Sequence, residues 1–141
     1  MQKLGFLLVC LVLTAFCKAN IITVDNDGPA DFNNIQAAVN AARGGDVIIV
    51  ADGIYVGAGN RDIVIPPKTI TVRSENGPQF CIIDCQGTYA DNHRGFYFQD
   101  SVPGPFPDPV VNGFTIINGF IVTGYEGGAG IKCYNSSPTN N

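Results

Sequence analysis

GGDVIIVADGIYV, residues 44–56, sets a pattern that the rest of the chain repeats. Four consecutive β-branched residues, Val47 to Val50, follow a pair of glycines and precede the turn former Asp52-Gly53. A short β-branched run between turn formers predicts a strand. We predict strands at 47–50, 63–65, 70–72, 81–83, 95–98, 110–117, 120–122 and 130–134. Strands this short and this numerous predict an all-β fold.

The spacing of these strands favours a coil of parallel strands. With Ile49, Val72 and Tyr97 taken as equivalent strand centres, the steps are 23 and 25 residues, a period in the range of solenoid repeats. Strands of a sandwich or barrel more often alternate polar and apolar residues over longer runs, with hairpins between neighbours. The sequence therefore predicts that each coil hydrogen-bonds to the next one.

One helix is predicted over residues 31–42. Its apolar residues recur at steps of three, four and three, which places them on one face. They are Phe32, Ile35, Val39 and Ala42. Asp31 is a suitable N-cap, and Gly44-Gly45 is a suitable C-terminal stop. We expect the apolar face to cover the open end of a stack that includes Val47, Ile49 and Ile70.

Residues 1–19 have the pattern of an export signal. Lys3 gives a basic start, residues 4–16 are an almost unbroken apolar run, and Cys17-Lys18-Ala19 places small residues at the cleavage positions. We expect a mature chain that begins at Asn20 and is secreted to the cell surface or the extracellular space. A membrane-spanning helix is one alternative, but the run is shorter than the roughly 20 residues that it needs. A lipid anchor on Cys17 is another, and bulky Phe16 argues against it.

The charge of the chain argues against nucleic acid as a partner. The chain has 8 Lys and Arg against 12 Asp and Glu, a net charge of −4. Loss of Lys3 and Lys18 with the signal makes the mature chain more acidic, whereas binding to a phosphate backbone needs a basic face.

Three cysteines follow the signal: Cys81, Cys85 and Cys133. An odd number leaves at least one thiol without an internal partner. Cys81 and Cys85 are four positions apart, about 13 Å along a strand, which is too far for a disulfide. Cys133 could pair with either of them. We favour the simpler interpretation, in which the thiols are small apolar residues in the stack.

Several sequence segments resemble segments of the right-handed parallel β-helix proteins of the pectin-lyase-like superfamily. DFNNIQAAVNAA at 31–42, GDVIIV at 45–50 and DGIY at 52–55 are similar to their N-terminal cap and first coil. GGAGI at 127–131 and NSSPT at 135–139 are similar to repeat phrases of secreted bacterial members. The resemblance covers residue 22 to the end. It implies a right-handed parallel β-helix with a short capping helix, and it implies little about function, because the cap occurs in lyases, hydrolases, epimerases and passive surface proteins alike.

The sequence contains no complete catalytic cluster, and we predict no catalytic residue and no cofactor. Calcium has weak candidate ligands in Asp84, Asp91 and Asp100, which successive coils could bring together, although solvated turns explain them more simply. His93, the single histidine, could act with Arg94 as an acid or base near a sugar, but no carboxylate at a known distance orients it. The aromatic residues that could stack on sugars if exposed are Tyr55, Tyr89, Tyr97 and Phe106.

The predicted organisation is a signal peptide at 1–19, an N-terminal cap at 20–45 and the first, incomplete coils of a β-helix at 46–141. We expect a longer protein, because no capping unit is recognisable after Ile131. Two functions remain open. One is a structural or adhesive solenoid that associates with polysaccharide or with the cell envelope. The other is the N-terminal part of a polysaccharide lyase or hydrolase whose catalytic coils lie beyond the chain end.

Overall fold

The computed structural model describes residues 18–99, 107–122 and 128–134, together with the backbone of 139–140. Several predictions fall outside the described residues. They concern the signal sequence up to residue 17, the calcium candidate Asp100, the aromatic Phe106, and the repeat phrase at 135–138.

Eleven strands and one helix make up the described part of the chain. In chain order they are β1 (Ile21–Val24), α1 (Ile35–Ala41), β2 (Val47–Val50), β3 (Gly53–Val56), β4 (Ile63–Ile65), β5 (Thr71–Ser74), β6 (Cys81–Asp84), β7 (Phe96–Phe98), β8 (Val110–Asn112), β9 (Thr115–Ile117), β10 (Ile131–Cys133) and β11 (Thr139–Asn140). The fold is therefore mostly β, as predicted. In this part of the chain no helix is long and apolar enough to cross a membrane.

The strands form three parallel sheets that the chain visits in rotation. Sheet A has the order β1-β2-β5-β8-β11, sheet B the order β3-β6-β9, and sheet C the order β10-β7-β4. From β2 onward, each strand pairs in parallel with the strand three places later. We name β2–β4 the first coil, β5–β7 the second and β8–β10 the third. This rotation is compatible with a β-helix-like solenoid.

The register differs from the predicted one. Ile48, not Ile49, pairs with Val72 in sheet A. Tyr97 lies in sheet C opposite Val64, so it is not equivalent to Val72. The length of a coil also varies, with 24 positions from Val47 to Thr71 but 33 from Ile63 to Phe96. Turns of unequal length between short strands remove the fixed period that the sequence suggested.

Side chains alternate between the inside and the outside of the stack, as the pleat requires. Ile48 and Val50 are fully buried, whereas Val47 and Ile49 are only partly buried. The expectation that Val47 and Ile49 form the covered core was therefore wrong by one position, although Ile70 is buried as predicted. Four uninterrupted apolar residues give no period-two signal, so the sequence alone does not identify the inner face.

The strand boundaries show where the coil changes direction. The predicted strand at 110–117 is two strands, β8 and β9, separated by Gly113 with a φ of 79°. A positive φ there lets the chain turn from sheet A into sheet B. The predicted strand at 120–122 contributes only one antiparallel bridge, between Phe120 and His93. Strands β1 and β3 were not predicted, and β3 was missed because Gly53, its first residue, was taken as a turn former.

Helix α1 is shorter than predicted at its N-terminus. Asn34 is the N-cap, and its side chain accepts a hydrogen bond from the Ala37 amide at 2.9 Å. The carboxylate of Asp31 accepts from the backbone and hydroxyl of Thr23 instead, at 2.8 and 2.9 Å. Phe32 lies before the helix, bridges Val24, and packs against the core. Asp31 and Phe32 are held by β1 and so do not join the helix.

The C-terminus of α1 is stabilised by a lysine rather than by glycine. Ala42, the C-cap, has an extended conformation, so the expected Gly44-Gly45 stop is not used as a cap. The Lys68 ammonium donates to the carbonyls of Val39 and Ala42 at 3.0 and 2.8 Å. A cation at this position satisfies free carbonyls and interacts favourably with the helix dipole.

The N-terminal segment also covers the free edges of the first coil. Gln36 of α1 accepts from the Val64 amide at 2.7 Å and donates to the Val64 carbonyl at 3.2 Å, which satisfies the outer side of β4. Asn26 donates to the Ile54 carbonyl of β3 at 2.8 Å. Side chains thus replace the neighbouring strand that an edge otherwise lacks.

Replacing Val39 by Asp tests this packing. Val39 is fully buried on the face that α1 turns toward the stack. An unpaired carboxylate there should lower the free energy of unfolding by roughly 3 to 5 kcal/mol. Urea unfolding followed by circular dichroism measures the loss. Asn40→Asp, which adds the same charge at the exposed neighbouring position, is the matched control. Equal unfolding midpoints for the two variants would contradict the packing.

Candidate functional site

Three segments from successive coils meet beside sheet C. Asp62 directly precedes β4 in the first coil, and the loop at 85–94 precedes β7 in the second. The segment 118–122 follows β9 in the third coil. Because β4 and β7 are parallel neighbours, residues that precede them stack at the same edge of the sheet. The backbone hydrogen bonds between His93 and Phe120, at 3.0 and 2.8 Å, add the third segment.

His93 lies between two carboxylates. Its Nδ1 is 2.5 Å from Asp62 Oδ2, and its Nε2 is 3.0 Å from Asp91 Oδ2. The contact with Asp62 is a hydrogen bond, whereas the contact with Asp91 is close but lacks hydrogen-bond alignment. The imidazole is 16% exposed and Asp91 is 69% exposed. The carboxylate that the sequence could not supply for His93 is therefore Asp62, 31 positions away.

These contacts change the acidity of His93. Partial burial alone lowers its pKa, because it disfavours the charged form. The neighbouring carboxylates of Asp62 and Asp91 outweigh that effect and raise the pKa above its ordinary value of 6.5. The imidazole is therefore held toward its protonated form.

Asp62 has an unusual backbone conformation for a residue with a side chain. Its φ is 51°, in the left-handed region. Aspartate tolerates this region because its short polar side chain can bond nearby groups. Here the second carboxylate oxygen, Oδ1, accepts from the Arg94 amide at 2.9 Å. Asp62 is thus fixed by the same loop that carries His93.

Two clefts open on either side of Asp62 and Arg94. The first, of about 260 Å³, is lined also by Val64, Tyr97 and Lys132, which are in register on the outer face of sheet C. The second, of about 290 Å³, is lined also by Asn92 and Ile121. Within the described part of the chain, the buried Nη1 of Arg94 has no hydrogen-bond partner. The Lys132 ammonium lies 5.7 Å from the centroid of the Tyr97 ring.

An exposed aromatic pair joins the loop at 85–94 to the segment 118–122. Tyr89 is 77% exposed and Phe120 is 38% exposed, and their rings meet edge to face with centroids 6.4 Å apart. Tyr97 is half-buried on the outer face of sheet C. Tyr55, in contrast, is fully buried, and its hydroxyl donates to the Ala51 carbonyl at 3.0 Å. Of the described aromatic candidates, Tyr89 and Tyr97 can therefore reach a ligand and Tyr55 cannot.

The two candidate calcium ligands within the described residues have other partners. Asp84 accepts from the Gln86 amide at 3.0 Å and from the Asn118 side chain at 2.9 Å, which holds a turn. Asp91 faces His93. Among residues 18–99, 107–122 and 128–134, no group of three or more His, Cys, Asp or Glu residues could hold a metal ion.

Comparison with known proteins assigns no family. No protein-family model, no curated protein and no solved structure matches the chain. The functional argument therefore rests on the residues of the site.

The three described cysteines are free thiols in two environments. Cys81 and Cys85 are buried, and Cys133 is exposed. Burial, reinforced by the nearby Asp52 carboxylate, raises the pKa of Cys81 to about 12. Burial, with further contributions from Asp62 and Asp84, raises the pKa of Cys85 to about 11. Both thiols are therefore protonated at neutral pH and lie out of contact with solvent.

Alkylation should distinguish these thiols. At pH 8 iodoacetamide should modify Cys133 in the folded protein and leave Cys81 and Cys85 unmodified, because the thiolate is the reactive form. All three should react in urea. Peptide mass spectrometry measures the extent at each site. Modification of Cys81 or Cys85 at the rate of Cys133 under native conditions would contradict the burial.

Proposed function

We propose that this chain belongs to a secreted right-handed parallel β-helix protein of the pectin-lyase-like type. The rotation of the chain through three parallel sheets supports the architecture. Parallel strands joined within one sheet cross over in the right-handed sense in about 98% of cases, which supports the handedness. The apolar run at 4–16 supports secretion. The role that fits best is structural or adhesive, through association with polysaccharide at a cell surface.

The observation that carries polysaccharide binding is the Arg94 side chain, which lines both clefts and whose Nη1 has no hydrogen-bond partner among the described residues. Because the Arg94 side chain lines both clefts, its guanidinium can pair with a ligand oxygen that enters either of them. Planar guanidinium groups pair well with carboxylates. Lys132 adds a second cation in the adjoining cleft. Tyr89 and Tyr97 offer rings for stacking on sugars. The site therefore suits sugar units that carry a carboxylate.

Binding of an oligogalacturonate tests this proposal. Arg94→Gln should weaken binding roughly tenfold, since a hydrogen bond to a charged group contributes about 1.5 kcal/mol or more. Arg43→Gln, at an exposed arginine away from the clefts, should leave the affinity unchanged. Calorimetry with the acidic oligomer and with a neutral glucan of equal length measures both effects. Equal affinity for the two glycans, or no effect of Arg94→Gln, would contradict the proposal.

A second function, the first coils of a polysaccharide lyase or hydrolase, has one observation in its favour. His93 is oriented by Asp62 and lies next to Arg94, an arrangement that can serve as an acid or base. No cofactor enters the proposal, and calcium is included in its test because Asp84, Asp91 and Asp100 were its candidate ligands.

We expect the chain to show no turnover of pectate, pectin or alginate, with or without calcium. The first cleft offers Tyr97 and the cations of Arg94 and Lys132, which suit binding of an acidic sugar, and the adhesive role requires no catalytic group. Release of unsaturated products or of reducing ends measures activity. Turnover that survives purification and disappears in His93→Ala or Asp91→Ala would favour the enzyme over the adhesive role.

A further inference from the structure

His93 connects three successive coils. Its side chain bonds Asp62 of the first coil, and it belongs to the loop of the second coil. Its backbone forms an antiparallel bridge with Phe120 of the third coil, with hydrogen bonds in both directions. Asn92, the preceding residue, accepts from the Val122 amide at 2.8 Å. The position of this one loop therefore depends on contacts above and below it.

The two carboxylates at the ring nitrogens require a particular protonation state. A neutral imidazole donates from only one nitrogen, and the other nitrogen carries a lone pair. Against that lone pair, a carboxylate oxygen at 3.0 Å is repelled. With Asp62 at Nδ1 and Asp91 at Nε2, only the imidazolium carries no lone pair toward either carboxylate. Two carboxylates this close to the ring favour the protonated histidine through charge attraction, and the Asp62 contact is also a hydrogen bond.

The other charged groups around the ring are cations. The Arg61 guanidinium opposes protonation, although its Nη1 is engaged with the Cys85 carbonyl at 3.0 Å. Arg94 contributes its amide to Asp62, and Lys132 lies in the adjoining cleft. The packed segment 118–122 has no charged residue. Two carboxylates in direct contact outweigh these cations, and the raised pKa of His93 agrees with that balance.

Asp91 links the ring to the aromatic pair. The carbonyl of Asp91 accepts from the Thr88 amide at 2.7 Å, and its amide donates to the Thr88 hydroxyl at 3.1 Å. Tyr89 lies inside this turn and contacts Phe120, whose backbone His93 holds. A shift of Asp91 therefore moves Tyr89 relative to Phe120.

We propose that His93 is a protonation-controlled clasp that fixes the turn at 88–91 against the first and third coils and so positions the Tyr89–Phe120 pair. When the imidazolium loses its proton, Nε2 repels Asp91 and the turn is released. A group whose pKa is raised by folding contributes stability that is complete below its unfolded pKa and is lost as the pH rises through the folded value. The clasp is therefore closed in acid and opens on the alkaline side of 6.5.

Nitrogen NMR of the full chain tests the clasp without assignment, because the protein has one histidine. At pH 6 both ring nitrogens should be protonated, with a titration midpoint above 6.5. Asp62→Asn and Asp91→Asn should each lower that midpoint. Asp108→Asn, at an exposed aspartate away from the loop, should leave it unchanged. A midpoint at or below 6.5, or one that neither clasp substitution lowers, would overturn the proposal.

Hydrogen exchange gives a second readout. After correction for intrinsic exchange, protection of the Thr88 and Asp91 amides should fall as the pH rises through the midpoint, whereas protection of the Ile48 amide should not change. In His93→Gln the pH dependence at Thr88 and Asp91 should vanish. Protection that is independent of pH in the native chain would overturn the clasp even if that variant fails to fold.

The consequence for ligands rests on the proposed function. Affinity for the acidic oligogalacturonate should fall as the pH rises through the same midpoint, and the fall should be absent in Asp91→Asn. Affinity that stays constant while the NMR midpoint is crossed would overturn control of the binding site. No binding at any pH, together with the expected titration and exchange, would support the clasp and overturn the proposed function.

Discussion

Each coil satisfies its backbone hydrogen bonds with the coil beside it, and the parallel register of those ladders is the constraint on which the other features depend. A strand of three or four residues has no partner within its own coil, because its sequence neighbours lie in different sheets. Unpaired amides and carbonyls are costly once they are removed from water. Each strand from β2 to β8 satisfies these backbone groups by pairing with the strand three places later in the chain.

The same register builds both the core and the site. Ile63, Phe96 and Ile131 form an inward column in sheet C, while Val64, Tyr97 and Lys132 form the adjacent outward column. A slip of one residue would exchange the two columns and place the ammonium of Lys132 in the core. The loops that enter sheet C follow this alignment. That is why Asp62 and His93, far apart in sequence, become neighbours.

The sequence was a good guide where the physical signal was local. The runs at 47–50 and 63–65 are strands with the predicted boundaries, because β-branched residues between turn formers suffice to identify them. The helix was found, but its start was not. Both Asp31 and Asn34 are residue types that cap helices well. The Asp31 carboxylate instead accepts a hydrogen bond from Thr23, which is eight positions away, so Asn34 becomes the N-cap. Local pattern contains no information about that contact.

The site depends on contacts that no local pattern encodes. His93 and Arg94 were recognised as candidates, whereas Asp62 was missed, because an aspartate before a strand is common and its partner is 31 positions away. The role of Lys68 at the end of α1 was missed for the same reason. Tyr55 was wrong as a candidate for stacking, since alternation within β3 turns it inward. The sequence did contain one signal. Side chains alternate along a strand, so in β3 either Tyr55 or its two neighbours, Ile54 and Val56, had to face outward.

The most direct test of the parallel coil is a set of backbone NMR contacts in the labelled protein. Nuclear Overhauser effects between strands should connect Ile48 with Val72, Tyr55 with Ile83, and Val64 with Tyr97, in the parallel pattern. They should be absent between β2 and β3, which follow each other in the chain but lie in different sheets. Antiparallel contacts between β2 and β3, with none between Val64 and Tyr97, would show a hairpin fold and contradict the account.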